Sequence, residues 1–161
     1  MNYTFDTTTN IKSRFISEDY FPAIVQFSPE ELNNHFIEYS YNDTDMFELV
    51  VDSENGIIKQ FTLTLCNHFK EQDINMSIPD AKEGSIYFND TTDVQCDLFV
   101  LSIYKDGLHI SISDKSAYTF LKCGQLIFAL DDTDSLISLY ITNLSSDDIS
   151  HVLREVHYTD N

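Results

Sequence analysis

The sequence predicts a mainly β, α+β fold. Antiparallel meanders form a curved sheet or a two-sheet sandwich, and an amphipathic helix closes the C-terminus. Three observations predict it. Several segments alternate apolar and polar residues with the two-residue period of half-buried strands. Turn-forming stretches such as "SENG", "KDG" and "DDTDS" separate them at short intervals, which favours antiparallel neighbours. One segment near the end switches to the helical period. The 12 Phe and 9 Tyr add residue types that favour strands.

Taken in order, "SRFISEDYFPAIVQF" carries apolar clusters on both sides of Pro22 and predicts one or two short strands. "SPEELN" predicts a short helical turn, with Ser28 as N-cap, Pro29 at the first helical position and Glu31 at the third. "HFIEYSY" then sets Ile37, Tyr39 and Tyr41 against Phe36, Glu38 and Ser40, a strand pattern. A single longer helix running through Tyr39 is the competing reading. "MFELVVD" and "GIIKQFTLTLC" make a hairpin, with Asn55-Gly56 able to take the positive φ angles of a tight turn. In its second strand Phe61, Leu63 and Leu65 share one face, and Gln60, Thr62, Thr64 and Cys66 share the other.

Residues 70–97 read as loop with one short strand at "SIYF". "LFVLSIY" is apolar on both faces, as a central strand is. After the "KDG" turn, "LHISIS" alternates again. "AYTFLK", "QLIFALD" and "LISLYIT" add three strands. The helix follows in "SSDDISHVLREVHY". Ser145 and Asp148 stand in capping-box positions, and Asp147 and Asp148 suit the positive end of the helix dipole. Ile149, Val152, Leu153 and Val156 form its apolar face.

The chain of 161 residues reads as one domain, residues 1–161, large enough to bury roughly 70% of its unfolded surface. Its charge is unusual. Against 9 Lys and Arg stand 27 Asp and Glu, a net −18, where a small domain is comfortable at a magnitude of about 2–8. Such a charge disfavours nucleic acid and anionic membrane as partners and favours a basic protein or cations. Cys66, Cys96 and Cys123 are odd in number and widely spaced, which predicts reduced thiols and a cytoplasmic protein. The first residues, "MNYTFDTTTN", lack the basic and apolar regions of a secretory signal.

Few residues carry chemistry. Cys66 and His68 would share a strand face if the strand ran on to residue 68, but a zinc site needs about four ligands and no other histidine completes a motif. Asp131-x-Thr133-x-Ser135 has part of the spacing of a calcium loop but lacks its glycine and terminal glutamate. None of the nucleophile-elbow, phosphate-loop or zinc-protease motifs occurs. No catalytic residue, metal ligand or cofactor is predicted. The acidic turns instead predict a partner-binding face made of Asp43, Asp45, Glu48, Asp131, Asp132 and Asp134, residues that turns project into solvent.

The segment "FELVVDSENGIIKQFTLTLCNHF" in a small, strongly acidic chain resembles immunity proteins of bacterial toxin–immunity systems, including those of contact-dependent inhibition and polymorphic toxins. "GQLIFALDDTDSLISLYITNLSSDDI" is similar to strand–acidic turn–strand endings of small bacterial domains. Together the two segments cover about a third of the chain, and neither carries named functional residues. The resemblance implies a non-enzymatic inhibitor that masks the active site of a basic toxin domain, typically a nuclease. Charge complementarity would speed that encounter. The alternative is a small metal-binding protein, or a thiol- or acid-dependent enzyme, centred on Cys66/His68 or the acidic turns.

Overall fold

The computed structural model describes residues 1–8, 11–29 and 33–159. In chain order its elements are β1 (Tyr3–Thr7), β2 (Arg14–Glu18), β3 (Phe21–Gln26), β4 (Asn34–Tyr41), β5 (Asp45–Asp52), β6 (Ile58–Leu65), β7 (Phe69–Glu71), β8 (Lys82–Phe88), β9 (Val94–Gln95), β10 (Val100–Ile103), β11 (Leu108–Ser111), β12 (Thr119–Cys123), β13 (Leu126–Leu130), β14 (Leu136–Ile141) and α1 (Ser146–Thr159). They make two sheets, ordered β1-β8-β12-β13-β14-β11-β10-β7 and β2-β3-β6-β5-β4-β9. The architecture is the expected mainly β sandwich with a C-terminal helix.

One hydrophobic cluster joins the two sheets. Phe47, Leu49, Phe61 and Leu63 supply it from the smaller sheet, and Leu101, Ile110, Phe128 and Leu139 from the larger. All eight are fully buried, and each such side chain stabilises the fold by about 1.5–3 kcal/mol relative to exposure. Phe47 sits at the centre, stacked on Tyr39 with ring centroids 4.8 Å apart and tilted against Phe61 at 5.5 Å.

The β5–β6 hairpin pairs Phe47 with Leu63 and Leu49 with Phe61, as their alternation requires. Its turn differs from expectation. Gly56 alone takes a positive φ, and Asp52 closes the loop by accepting the Glu54 and Asn55 amides on its carboxylate. The left-handed pair lies instead at Asn42 and Asp43, between β4 and β5, where Thr44 N donates to the Tyr41 carbonyl. Gly56 has a second task. Its carbonyl accepts from Phe88 N in the other sheet, and a Cβ at position 56 would meet the Phe88 carbonyl at 2.1 Å.

A bulge in β6 changes which residues face the core. Phe47 pairs with Leu63 but Met46 pairs with Leu65, so Thr64 is an extra residue. One extra residue reverses the alternation beyond it. Leu65 therefore turns outward and Cys66 turns into the core, the reverse of the expected faces.

Other strands depart from the sequence reading. "SRFISEDYFPAIVQF" supplies two strands as expected, β1 precedes them without having been expected, and Pro22 is tolerated because β3 pairs with β6 only from Ala23 onward. Residues 70–97 hold more than "SIYF": β8 starts at Lys82, and the short strand β9 adds to the smaller sheet. Three pairings, β7 with β10, β8 with β12 and β4 with β9, are parallel, so the sheets are mixed rather than purely antiparallel. Residues 34–41 are a strand, not a helix. The helical turn expected over "SPEELN" falls on residues 30–32, outside the described residues.

α1 begins with the predicted capping box. Asp148 N donates to Ser145 Oγ at 3.1 Å, and Ser145 N donates to Asp148 Oδ2 at 3.0 Å. Ile149, Val152 and Val156 are buried, and Leu153 packs beside them. The helix lies on β3 and β2, and its His157 meets Phe69 of β7 edge-on. It thus closes the side of the sandwich where β2 and β7 end their sheets. Polar bonds seat it: His151 Nε2 donates to the Phe21 carbonyl at 2.9 Å, and Glu155 accepts from Tyr20 N at 3.1 Å. Among the described residues no helix is long and apolar enough to cross a membrane.

Candidate functional site

The acidic residues singled out by the sequence fall into three environments. The first surrounds Asp45, the opening residue of β5, whose parity it shares with Phe47, Leu49 and Val51. That parity points its carboxylate inward, and Asp45 is fully buried. A buried carboxylate needs donors on its lone pairs. Oδ1 accepts Asn67 N at 2.7 Å and His68 N at 3.0 Å, and Oδ2 accepts Thr44 Oγ1 at 2.7 Å. His68 Nδ1 lies 2.6 Å from Oδ2, and because a carboxylate only accepts, the ring nitrogen is the donor. Asp45 therefore clamps the chain leaving β6 onto the start of β5. As a partner-facing residue it is corrected: its charge is turned into the protein.

The same clamp explains the Cys66-Asn67-His68 sequence. Cys66 is buried in the core, and its thiol donates to the His68 carbonyl at 3.8 Å. The His68 ring turns the other way, half exposed, onto Asp45 and against the edge of Tyr41. The strand ends at Leu65, so the two side chains do not share a strand face. Burial pushes the thiols of Cys96 and Cys123 up to about 11, which keeps both protonated and poorly nucleophilic at neutral pH. Among the described residues no group of three or more His, Cys, Asp or Glu side chains is arranged to hold a metal ion.

The second environment is the turn from β13 to β14. Asp131 is buried, which corrects its expected exposure. Its Oδ1 accepts Thr133 N at 2.9 Å, Thr133 Oγ1 at 2.8 Å and Ser135 N at 3.0 Å. The Asp-x-Thr-x-Ser spacing thus builds a self-bonded turn, in which aspartate binds the backbone ahead of it. These bonds, led by Ser135 N, pull the Asp131 carboxyl down to about 2, helped by Lys115 at 3.7 Å. Oδ2 has that ion pair but no hydrogen bond. Asp132 and Asp134 stand exposed on the turn, where the expectation placed them.

The third environment is the outer face of the smaller sheet. Counting back from the Asn42–Asp43 turn sets Glu38 of β4 directly opposite Glu48 of β5. Both have the parity of the outward-facing residues. Asp93, just before β9, joins them by accepting Glu38 N at 2.9 Å. Partial burial pushes the Glu48 carboxyl above its usual range, and the charges of Glu38 and Asp93 push it further. In the next row Phe36 pairs with Val50, and Val50 with Gln60. Phe36 is 52% exposed. Asp43 is exposed at the tip of the hairpin.

Of the six predicted residues, Asp43 and Glu48 therefore belong to the β4–β5 hairpin, Asp132 and Asp134 to a separate turn, and Asp45 and Asp131 to interior bonds. Sequence reasoning passed over Glu38, Asp93 and Phe36. The signal for Glu38 and Phe36 was present: with the turn placed at Asn42–Asp43, alternation alone puts them outward beside Glu48 and Val50. No family model matches this sequence, and neither does any curated protein.

Proposed function

We propose that this chain is a non-enzymatic binding domain for a basic protein, which it inhibits by covering a positively charged surface. The observation that carries the proposal is the unbalanced charge. Of the nine cations, Lys59, Lys105, Lys115 and Arg154 each lie within 4 Å of one of the chain's own carboxylates. Among the described carboxylates only Asp45, Asp131 and Glu155 are buried, and the others are exposed or half-buried. A field of this sign steers a basic partner and repels nucleic acid and anionic lipid.

The resemblance to immunity proteins gives the partner a chemistry, a basic toxin domain such as a nuclease. Covering the groove that binds nucleic-acid phosphates would block such an enzyme. The reading of Cys66 and His68 as a thiol or metal centre loses support, because Asp45 orients the imidazole and the thiol faces the core.

Recovery of partners on the tagged chain from its native host, at low and high salt, tests the reading. A basic protein retained at low salt is expected. Its association rate should fall at least about tenfold on raising ionic strength from low to several hundred millimolar. A rate flat in salt would remove the steering argument, and recovery of neutral or acidic proteins alone would sink the reading.

A further inference from the structure

The outer face of the smaller sheet works against its own stability. Like charges set directly opposite across two strands destabilise a sheet, and Glu38 faces Glu48 in this way. Asp93 brings a third carboxylate, and it is held there by the Glu38 amide. Beside this row the face mixes apolar and neutral polar side chains. Phe36 stands half exposed over Val50, and Met46 lies on the other side of Glu48 along β5. A cavity of about 340 Å³ lies beside them, lined by Phe36, Val50, Gln60 and Gln26 and by the buried Lys59, whose Nζ is held within its own fold by Asn34 and Asp52.

We infer that this face is the docking surface, and that its occupant is a protein segment presenting an arginine between Glu38 and Glu48 with an apolar neighbour against Phe36. The inference rests on the basic-partner reading and names its surface. Charge complementarity selects the occupant. A guanidinium is planar, always charged and able to bond two carboxylates at once. Lysine offers a point charge and no flat face for the ring. A bare divalent cation fits less well, because the three carboxylates are not grouped as metal ligands. Aromatic residues beside satisfied charges are the usual centre of a tight interface. The repulsion in the free chain becomes attraction once the cation arrives. The prediction is therefore double: neutralising either glutamate stabilises the free protein and weakens binding.

The probe is a nona-arginine peptide, titrated into the isotope-labelled chain at about 0.15 M salt and followed residue by residue by NMR. Amides of β4, β5 and residues 90–95 should shift and saturate first. Glu38→Gln/Glu48→Gln should raise the melting temperature by about 1–3 °C while weakening the peptide about tenfold. Phe36→Ala should weaken it severalfold, and nona-lysine should bind less tightly than nona-arginine. The control Asp132→Asn/Asp134→Asn should change affinity less than twofold. Saturable shifts centred on residues 131–135, or a control that costs as much as the glutamate pair, would overturn this surface and leave the basic-partner reading standing. Binding unchanged in the glutamate variant would do the same. No saturable shift anywhere would overturn the basic-partner reading together with the surface.

Discussion

Asp45 and Glu48 stand three residues apart on one strand and serve opposite ends. Asp45 points inward, and four donors converge on it. Glu48 points outward and faces another glutamate. Asp131 repeats the first pattern in the other sheet, with three donors on one oxygen. The difference teaches that an acidic residue in a turn carries no function by itself. The inward carboxylates are structural, each replacing water with amides of its own chain. Among the described residues no hydrogen bond or ion pair satisfies the outward pair, and that deficit makes it a candidate for a partner.

Asp45→Ala should have the largest effect. It strands the amides of Asn67 and His68 and the imidazole, and should cost about 3–5 kcal/mol of stability. Urea unfolding reads this directly, and a loss below about 1 kcal/mol would mean that the clamp is dispensable. His68→Ala removes one of the four donors, from a half-exposed position, and should cost about 1–2 kcal/mol. If it cost as much as Asp45→Ala, the imidazole rather than the backbone amides would be the core of the clamp.

Acid separates the two kinds of carboxylate by sign. The Asp131 carboxyl is held at about 2, below the ordinary 3.8, so its contribution is fully present above about pH 4 and is lost as pH falls towards 2. The Glu48 carboxyl is raised above the ordinary 4.5, so its ionised form is disfavoured in the fold. Its contribution is fully present below 4.5 and is lost as pH rises through the raised value. Stability should therefore increase slightly as pH falls from neutrality towards 4.5 and decrease below pH 4. In Glu48→Gln the first of these changes should shrink while the second persists, as thermal melts across the range would show.

Glu48→Gln itself should stabilise the chain at pH 7 by about 0.2–1 kcal/mol. The low end is expected because the pair is partly exposed and screened. A destabilised variant would show that Glu48 has a favourable partner in its own fold. The smallest effect belongs to Asp132→Asn, an exposed turn carboxylate, which should stay within about 0.5 kcal/mol of the parent.

Much of this was legible in the residues. Alternation around Phe47, Leu49, Phe61 and Leu63 located the central hairpin, and Ser145 with Asp148 located the start of the helix. The inward turn of Asp45 was legible too, since it shares parity with Phe47 and Leu49, but an acidic residue next to a turn invites an outward assignment. The exchange of Leu65 and Cys66 was not legible. It depends on a bulge at Thr64, and nothing local marks which residue a strand will leave unpaired. The strands β7 and β9 were hidden for a related reason. With three and two residues they have no period to detect, and their partners are distant.

The pairing of β1 with β8 sets Tyr3 against Phe88. β1 thus stays without this partner until residues 82–88 have been made. At about 5–20 residues per second, that wait lasts roughly 4–17 seconds. The β2–β3 hairpin waits longer for its cover, because α1 follows all fourteen strands in chain order. The nascent chain therefore carries the uncovered hairpin together with most of these carboxylates, and mutual repulsion of those charges is well suited to keeping neighbouring nascent chains apart until α1 has been made.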